Sequence, residues 1–424
     1  MLYYAYGSET ADLSSEDIKT AVFEAFGRMG DREKVLAIPP DFTRYHSRAG
    51  YLTTLAYAYY GKALTDILPA LGTHAPMSEK EIGKMFPGVP VSLFREHRWR
   101  SDIVTLGEVP AGFVKEVSEN RVEYTWPAQV NKMLVHGNYD LILSPGQVVP
   151  HEVIGMANYN KNIFVGTGGV EGINKSHFLG AAYGIERILG RSDTPVRKVL
   201  NYASERFAKD MPIVYMLTVV AKDEEGKLKV RGLFIGDDHE CYYRAAELSL
   251  KVNFIMLPKP LRKVVVYLDP EEFKSTWLGN KSVYRTRMAI ADKGELVVLA
   301  PGLKEFGEDR QIDHLIRKYG YLTTPEILKL TRENSDLQEN LSAAAHLIQG
   351  SAEDRFTITY CPGNITEKEI RSVNFNYAPL EAMAKKYDPG KLKDGFNILP
   401  DGEEVFYISN PALGLWACKE RFEV

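Results

Sequence analysis

Short apolar or β-branched runs alternate with segments of helical periodicity through most of the chain, the pattern of an α/β protein with mostly parallel, Rossmann-like sheets flanked by helices. Residues 34–38 read as a strand running into Pro39-Pro40-Asp41. Residues 139–143 read as a second buried strand, ended by the turn Ser144-Pro145-Gly146. Between them, residues 78–85 predict a helix that Ser78 caps, and Glu81 three positions on completes a capping box. The apolar spacing turns helical over 173–189 and again over 196–207. Residues 213–220 and 228–235, joined by Asp223-Glu224-Glu225-Gly226, read as a β-hairpin.

Two prolines in Pro258-Lys259-Pro260 suit a linker. They divide the chain into an N-terminal domain at 1–258 and a C-terminal α/β domain at 259–404, with a tail at 405–424 expected to pack back on the first domain. Residues 263–268, 295–300, 357–361 and 396–399 are four strand candidates with helices between them, a small parallel sheet. Leu328, Leu330, Leu337, Leu341 and Leu347 recur at helical spacing without a strict seven-residue repeat, which predicts a core stripe rather than a zipper.

A chain of 424 residues is too long for one ordinary core. With 45% apolar and 25% charged residues it has the composition of a globular protein, not of a disordered one. The formal charge of −4 leaves no excess to neutralise a phosphate backbone, which argues against a nucleic-acid partner. Cys241, Cys361 and Cys418 are far apart and include no Cys-x-x-Cys pair, so neither a disulfide framework nor a cysteine zinc site is expected, and a reducing cytoplasm fits. The first residues carry no basic group ahead of their apolar stretch, unlike a secretion signal. Even the apolar window 51–64 is broken by Gly61 and Lys62, so no membrane span is predicted.

Reactive groups fall where predicted strands end, and open α/β sheets bind ligands at the carboxyl ends of their strands. Asp41-Phe42-Thr43-Arg44 offers a carboxylate, a hydroxyl and a guanidinium able to grip a phosphate or carboxylate, although a turn-forming aspartate beside a surface arginine reads the same way. Gly72-Thr73-His74 precedes the capped helix, and His151 follows the strand at 139–143; each histidine alone fits a packing role as well as a chemical one. Lys161 lies in the polar loop Asn158-Tyr159-Asn160-Lys161-Asn162, where a solvated lysine would look alike, and His177 heads a predicted helix. Gly166-Thr167-Gly168-Gly169-Val170-Glu171-Gly172, with Asp193 about twenty residues on, invites a dinucleotide reading, but no fully apolar strand precedes it. Trp277 and Lys281 are four apart and would share a helical face.

In chain order, Asp41-x-Thr43-Arg44, Gly72-x-His74-x-Pro76, His151, Lys161, His177 and Lys281 resemble the lactate racemase family, the nickel-pincer 2-hydroxyacid racemases and epimerases, over residues 34–300. The resemblance implies a nickel-pincer nucleotide, a pyridinium-3-thioamide-5-thiocarboxylic acid mononucleotide that holds nickel through sulfur, carbon and sulfur. On this chain the covalent lysine falls on Lys161 and the nickel histidine on His177, with His74 and His151 as the acid/base pair. Asp41, Thr43, Arg44 and Trp277 fall at the cofactor, and Lys281 and Leu278 at the substrate. The implied site lies in a cleft between the two domains, the first of which binds the cofactor. Partners implied are a small 2-hydroxy acid and the enzymes that make and load the cofactor, with neither nucleic acid nor membrane.

The chain departs from the family pattern at Tyr45 for proline, Ala75 for arginine, Tyr159-Asn160 for glycines and Leu278 for a glutamine, with Trp277 where tyrosine is common. These changes point from lactate toward a larger substrate, a sugar acid or an acid with an apolar side chain. Trp277, and Trp99 and Trp126 in predicted loops, offer stacking faces, with core filling the competing reading for Trp126. A substrate carboxylate needs a cation, and Lys281, Arg98 or Arg100 are the candidates. Removing an α-proton beside a carboxylate is poorly served by two near-neutral histidines, as general base catalysis supplies only about 10²–10⁴-fold, whereas hydride removal avoids the carbanion. Two other classes stay open: an NAD-dependent 2-hydroxyacid dehydrogenase, expected to need one histidine and a better glycine fingerprint, and a non-catalytic nickel or nucleotide carrier, which would not need both His74 and His151.

Overall fold

The computed structural model describes residues 1–223 and 225–422; Glu224 of the predicted hairpin turn and the last two residues of the predicted tail lie outside them. The chain forms two units, Met1–Leu179 with Ile188–Asn253, and Gly180–Arg187 with the chain from Phe254 onward.

In the first unit six strands are ordered Leu2–Gly7, Leu228–Gly236, Ile213–Lys222, Leu141–Gln147, Val35–Ala37, Leu64–Ile67. The last four run parallel, and the first three are joined antiparallel as an edge that includes the predicted hairpin. Side chains alternate across a strand. Val35 and Ala37, Leu141 and Leu143, and Val214 and Met216 therefore share one face, where they pack with Ile18, Val22 and Phe26 of helix Ser15–Met29 and Leu52 and Leu55 of helix Ala49–Tyr60. Full burial of such a side chain contributes about 1.5–3 kcal/mol. Local signals set the ends: Ser14 and Asp17 form a capping box at helix Ser15–Met29, and Ser78 and Glu81 form the predicted one at helix Glu79–Met85.

Three local expectations change. Residues 144–146 do not turn, since Leu141–Gln147 is one strand. The bond from Ile38 N–H to Leu143 O is where pairing with the Val35–Ala37 side ends, and beyond it only Ile213–Lys222 pairs, with Pro145 opposite Met216. Pro145 shares the side of Leu143, so its missing N–H faces an edge that no strand occupies. The helix expected over 173–189 is Val170–Tyr183; Gly184, at φ +107°, ends it, and a 3-10 turn Ile185–Arg187 follows. Trp126 begins strand Trp126–Asn131, antiparallel to Ile103–Val109, rather than sitting in a loop.

The second unit carries a sheet ordered Asn376–Tyr377, Thr357–Pro362, Ile290–Ala300, Leu261–Tyr267, Glu404–Ile408, Gly395–Ile398, parallel except for the last pair. The segment expected as a tail from 405 thus supplies an interior strand of this sheet. Val405, Phe406, Tyr407 and Ile408 are consecutively buried, as a strand covered on both faces requires. Further on, Trp416–Cys418 pairs with Ile255–Leu257 inside the same unit, not with the first. The leucine stripe folds as three helices, Thr324–Glu333, Ser335–Glu339 and Leu341–Gln349, with Leu337 and Leu347 fully buried. No described helix is long and apolar enough to cross a membrane.

Candidate active site

The three neighbouring parallel strands Leu141–Gln147, Val35–Ala37 and Leu64–Ile67 end on the same side of the sheet, and their following loops carry His151, Asp41 and His74. Asp41 caps the 3-10 helix Phe42–Ser47. Its Oδ1 accepts from Thr43 N–H at 3.1 Å and from the Thr43 hydroxyl. Its Oδ2 lies 2.6 Å from His74 Nδ1. Burial alone would raise the Asp41 carboxyl, but the hydrogen bonds and charge of His74 and Thr43 outweigh it and hold the group below the usual carboxylate range. A carboxylate has only acceptors to offer, so the proton of this contact is on His74 Nδ1 and the lone pair of the neutral ring is on Nε2. His74 itself is open to solvent, its side chain 60% exposed. It is delivered by Gly72, which takes φ +57° and donates to Gly166 O at 2.8 Å.

His151 is set the opposite way. It is buried on the short strand Pro150–His151, paired with Gly155–Met156, and its Nδ1 accepts from Val153 N–H at 3.1 Å. Burial drives its pKa well below 6.5, against the pull of Glu152 and with the help of Lys161, Arg44 and His177. The ring is therefore neutral with its proton on Nε2. The two histidines present complementary tautomers, His74 a lone pair and His151 an N–H.

Lys161 is the second residue of the helix Asn160–Phe164 and is half-buried. Burial first and the Arg44 charge second lower its amine from 10.5 to about 8. His177, half-buried on helix Val170–Tyr183, bonds Ile173 O through Nδ1 at 2.7 Å, which leaves Nε2 free to bind a metal; burial again keeps the ring neutral. His151 and His177 both feel the charges of Lys161 and Glu152, so the fold gathers these groups in one electrostatic neighbourhood of the first unit. Thr43 and Arg44 are exposed beside Asp41, and among the described residues no carboxylate pairs with Arg44.

Other candidates are placed elsewhere. Arg98 is exposed with Glu96 at 3.8 Å, and exposed Arg100 stacks 3.4 Å over the Trp99 ring, so both are engaged at the surface. Trp126 is fully buried, its Nε1 donating to Gly172 O and Ser176 Oγ at 3.0 Å, which makes it a core residue rather than a substrate wall. The run from Gly166 to Gly172 follows the helix Asn160–Phe164 instead of a strand, and its glycines permit close packing: a Cβ on Gly168 would lie 2.0 Å from Phe164 O and one on Gly169 2.4 Å from Gln129 Oε1. The dinucleotide reading loses its strand–turn–helix setting. Trp277, Leu278 and Lys281 belong to the second unit. They occupy two short helices, Thr276–Gly279 and Lys281–Tyr284, broken at Asn280, so the expected single helical face does not form. Trp277 packs against buried His346, their tilted rings 4.5 Å apart between centroids.

Sequence reasoning passed over Glu152, whose signal was its place directly after His151. It also passed over Asn162, whose amide donates to Ile38 O at 2.7 Å and Ser144 Oγ at 3.0 Å and so ties the Lys161 helix to both strand ends. Arg197 gave no local signal.

Residues 18–185 match the lactate racemase N-terminal domain, a span that includes Asp41, His74, His151, Lys161 and His177. Over this span the chain is similar to the lactate racemase family. The whole fold is similar to a crystal structure of a Thermotoga maritima protein, which is 26% identical, with a TM-score of 0.79 over 98% of this chain and 100% of that one. It is also similar to the lactate racemase apoprotein of Thermoanaerobacterium thermosaccharolyticum, with a TM-score of 0.72 over 96% and 93% of the two chains; at 16% identity that likeness is one of fold. No curated protein matches the chain significantly. That domain relates this part of the chain to racemases and epimerases.

Proposed function

We propose that the chain inverts the C2 centre of a 2-hydroxy acid larger than lactate, in the cytoplasm, with a nickel-pincer nucleotide held by Lys161 and His177. The observation that carries the reading is the pair of complementary histidine tautomers in the same neighbourhood as an activated lysine amine and an imidazole with a free Nε2. The residues present suit the group. An amine lowered to about 8 is unprotonated often enough near neutrality to act as the nucleophilic anchor that would hold the group. His177 donates its other ring N–H to a backbone carbonyl, the usual posture of a metal-binding histidine. Among the described residues no three His, Cys, Asp or Glu side chains gather as a metal site, and the pincer brings three donors of its own. Thr43 and Arg44 are the grip for its phosphate.

When bound, the group supplies an acceptor and donor for the substrate's α-hydride. The chain handles the proton. His74 Nε2 takes the hydroxyl proton of one antipode while Asp41 steadies the imidazolium that results. His151 Nε2–H polarises the keto oxygen as a neutral donor, a use of depressed histidines known elsewhere. For the other antipode the same ring would be the base, which requires the Val153 N–H to give up Nδ1. Lys281 as the cation for the substrate carboxylate, and Leu278 and Trp277 as its wall, are the second unit's part in this proposal.

Protein made together with the cofactor pathway should carry a mass adduct at Lys161. Lys161→Ala should abolish the adduct, and His177→Ala should keep it but lose most of the nickel; unchanged nickel and activity in either variant overturns the assignment. During turnover in deuterated water the α-hydrogen should be retained, and solvent deuterium entering C2 at the inversion rate rejects hydride transfer. Among lactate, malate, phenyllactate and gluconate, the highest specificity constant for lactate would refute the larger substrate. One extra methylene is worth only about 1–3 kcal/mol of discrimination, so residual lactate turnover is compatible with it.

A further inference from the structure

Arg197, on helix Pro195–Phe207, is fully buried, and among the described residues no carboxylate pairs with it. Its guanidinium instead holds the stretch of chain just before Lys161. Nη2 donates to Met156 O at 2.8 Å, both terminal nitrogens reach Asn158 O at 3.3 Å, and Nη1 donates to Asn160 Oδ1. Asn160 in turn donates to Asn201 Oδ1 at 2.8 Å and Ser204 Oγ at 3.1 Å, so positions 197, 201 and 204 of one helical face latch the segment. A buried cation without a counter-ion is costly, and the fold tolerates this one because Met156 O, Asn158 O and Asn160 Oδ1 meet its two terminal nitrogens, Nε having no partner among the described residues.

The latched segment has an uncommon backbone. Asn158 sits at φ +65°, and Tyr159 at φ +58° and ψ −138°, a region that side chains other than glycine rarely occupy. Tyr159 is held there from the other side: it stacks on Tyr242 at 5.1 Å, and Arg197 lies 4.2 Å over the Tyr242 ring. The chain then enters the helix whose second residue is Lys161.

We propose that Arg197 is a positioning residue that clamps Met156, Asn158 and Asn160, holding the left-handed turn at Asn158–Tyr159 so that the Lys161 amine is presented to its acylating partner. This rests on the reading of Lys161 as the covalent anchor, but it can be tested on the chain without the cofactor. The probe is the N-hydroxysuccinimide ester of acetate at trace level: the amine nitrogen bonds to the acetyl carbon, N-hydroxysuccinimide leaves, and the ammonium proton goes to solvent. Peptide mass spectrometry reads Lys161 acetylation relative to exposed Lys222 in the same molecules.

Arg197→Met should lower the Lys161-to-Lys222 rate ratio by about tenfold or more, the scale of a misplaced nucleophile, without change at Lys222. Arg197→Lys, whose ammonium has three donors for the three acceptors, should return the ratio to within about threefold of the parent. The pH profile of Lys161 labelling should move with the first variant and return with the second. A folded Arg197→Met with an unchanged ratio overturns the proposal, as does Arg197→Lys labelling as slowly as Arg197→Met. If Arg197→Met does not fold, Asn160→Ala decides: a lowered ratio supports the clamp and an unchanged one overturns it. A normal labelling pattern in a chain that never acquires the cofactor adduct would refute the anchor reading and leave the clamp standing.

Discussion

Replacing Asp41 by Asn changes one atom and should reverse a proton. Oδ1 of Asp41 accepts two hydrogen bonds, from the N–H and the hydroxyl of Thr43, while Oδ2 accepts one from His74 Nδ1. An asparagine has a single acceptor oxygen. Turning it toward Thr43 keeps two bonds and points the amide NH₂ at His74; turning it toward His74 leaves the Thr43 N–H facing an NH₂, with only the hydroxyl able to turn and accept. At about 1 kcal/mol for the bond lost and about as much again for the N–H left facing a donor, the first orientation wins by about 2 kcal/mol, roughly 30 to one. An NH₂ group facing Nδ1 demands an acceptor there, so the neutral ring moves its proton to Nε2 and loses the lone pair it would use as a base. Asparagine caps a helix as well as aspartate does, so the thermal midpoint should stay close to that of the parent. Long-range ¹H–¹⁵N correlation spectra of the histidines read the tautomer directly, and turnover of the loaded enzyme that depends on His74 should fall by about 30-fold or more. A His74 ring still protonated at Nδ1 when neutral, or turnover within about threefold of the parent, would refute the reasoning.

Gly146→Ala should lower stability by about 1–3 kcal/mol, read as a drop in thermal midpoint, because its Cβ would fall 1.6 Å from Asn158 Nδ2 and force that side chain off the Tyr159 N–H it accepts from; an unchanged midpoint contradicts the packing. His97, His151 and His346 are buried with lowered pKa values, His346 to about 3, so the unfolded chain binds protons that the folded chain refuses below about pH 6.5. Stability is then complete above that pH and should fall toward pH 5 by up to about 1.4 kcal/mol per pH unit for each ring, and denaturant unfolding that is flat between pH 7 and 5 would refute it. Trp126→Phe should cost about 0.5–1.5 kcal/mol by removing the indole N–H from Gly172 O and Ser176 Oγ, which still bond each other, while leaving substrate preference unchanged; a changed preference would return Trp126 to the substrate wall.

The α/β class, the capping box at Ser78 and Glu81, and the placing of Asp41, His74 and His151 after parallel strands were all legible in the chain, because burial periodicity and capping are written in residues a few positions apart. Pro145 misled for the same reason. Read with its neighbours it signals a turn, and only the end of the adjacent strand at Ala37 shows that its absent N–H goes unmissed. Residues 405–408 looked like the start of a tail because nothing nearby says that Leu261–Tyr267 will pair with them. The chemistry of the candidate site depends still more on distance in sequence. Which nitrogen of His74 holds the proton is set by Asp41, 33 residues away, and the turn before Lys161 is braced by Arg197, 37 residues beyond Asn160. A residue type states what a side chain can donate or accept, but which of those options is used depends on the partner that folding brings within about 3 Å, and that partner is chosen by the sheet order and the helix faces.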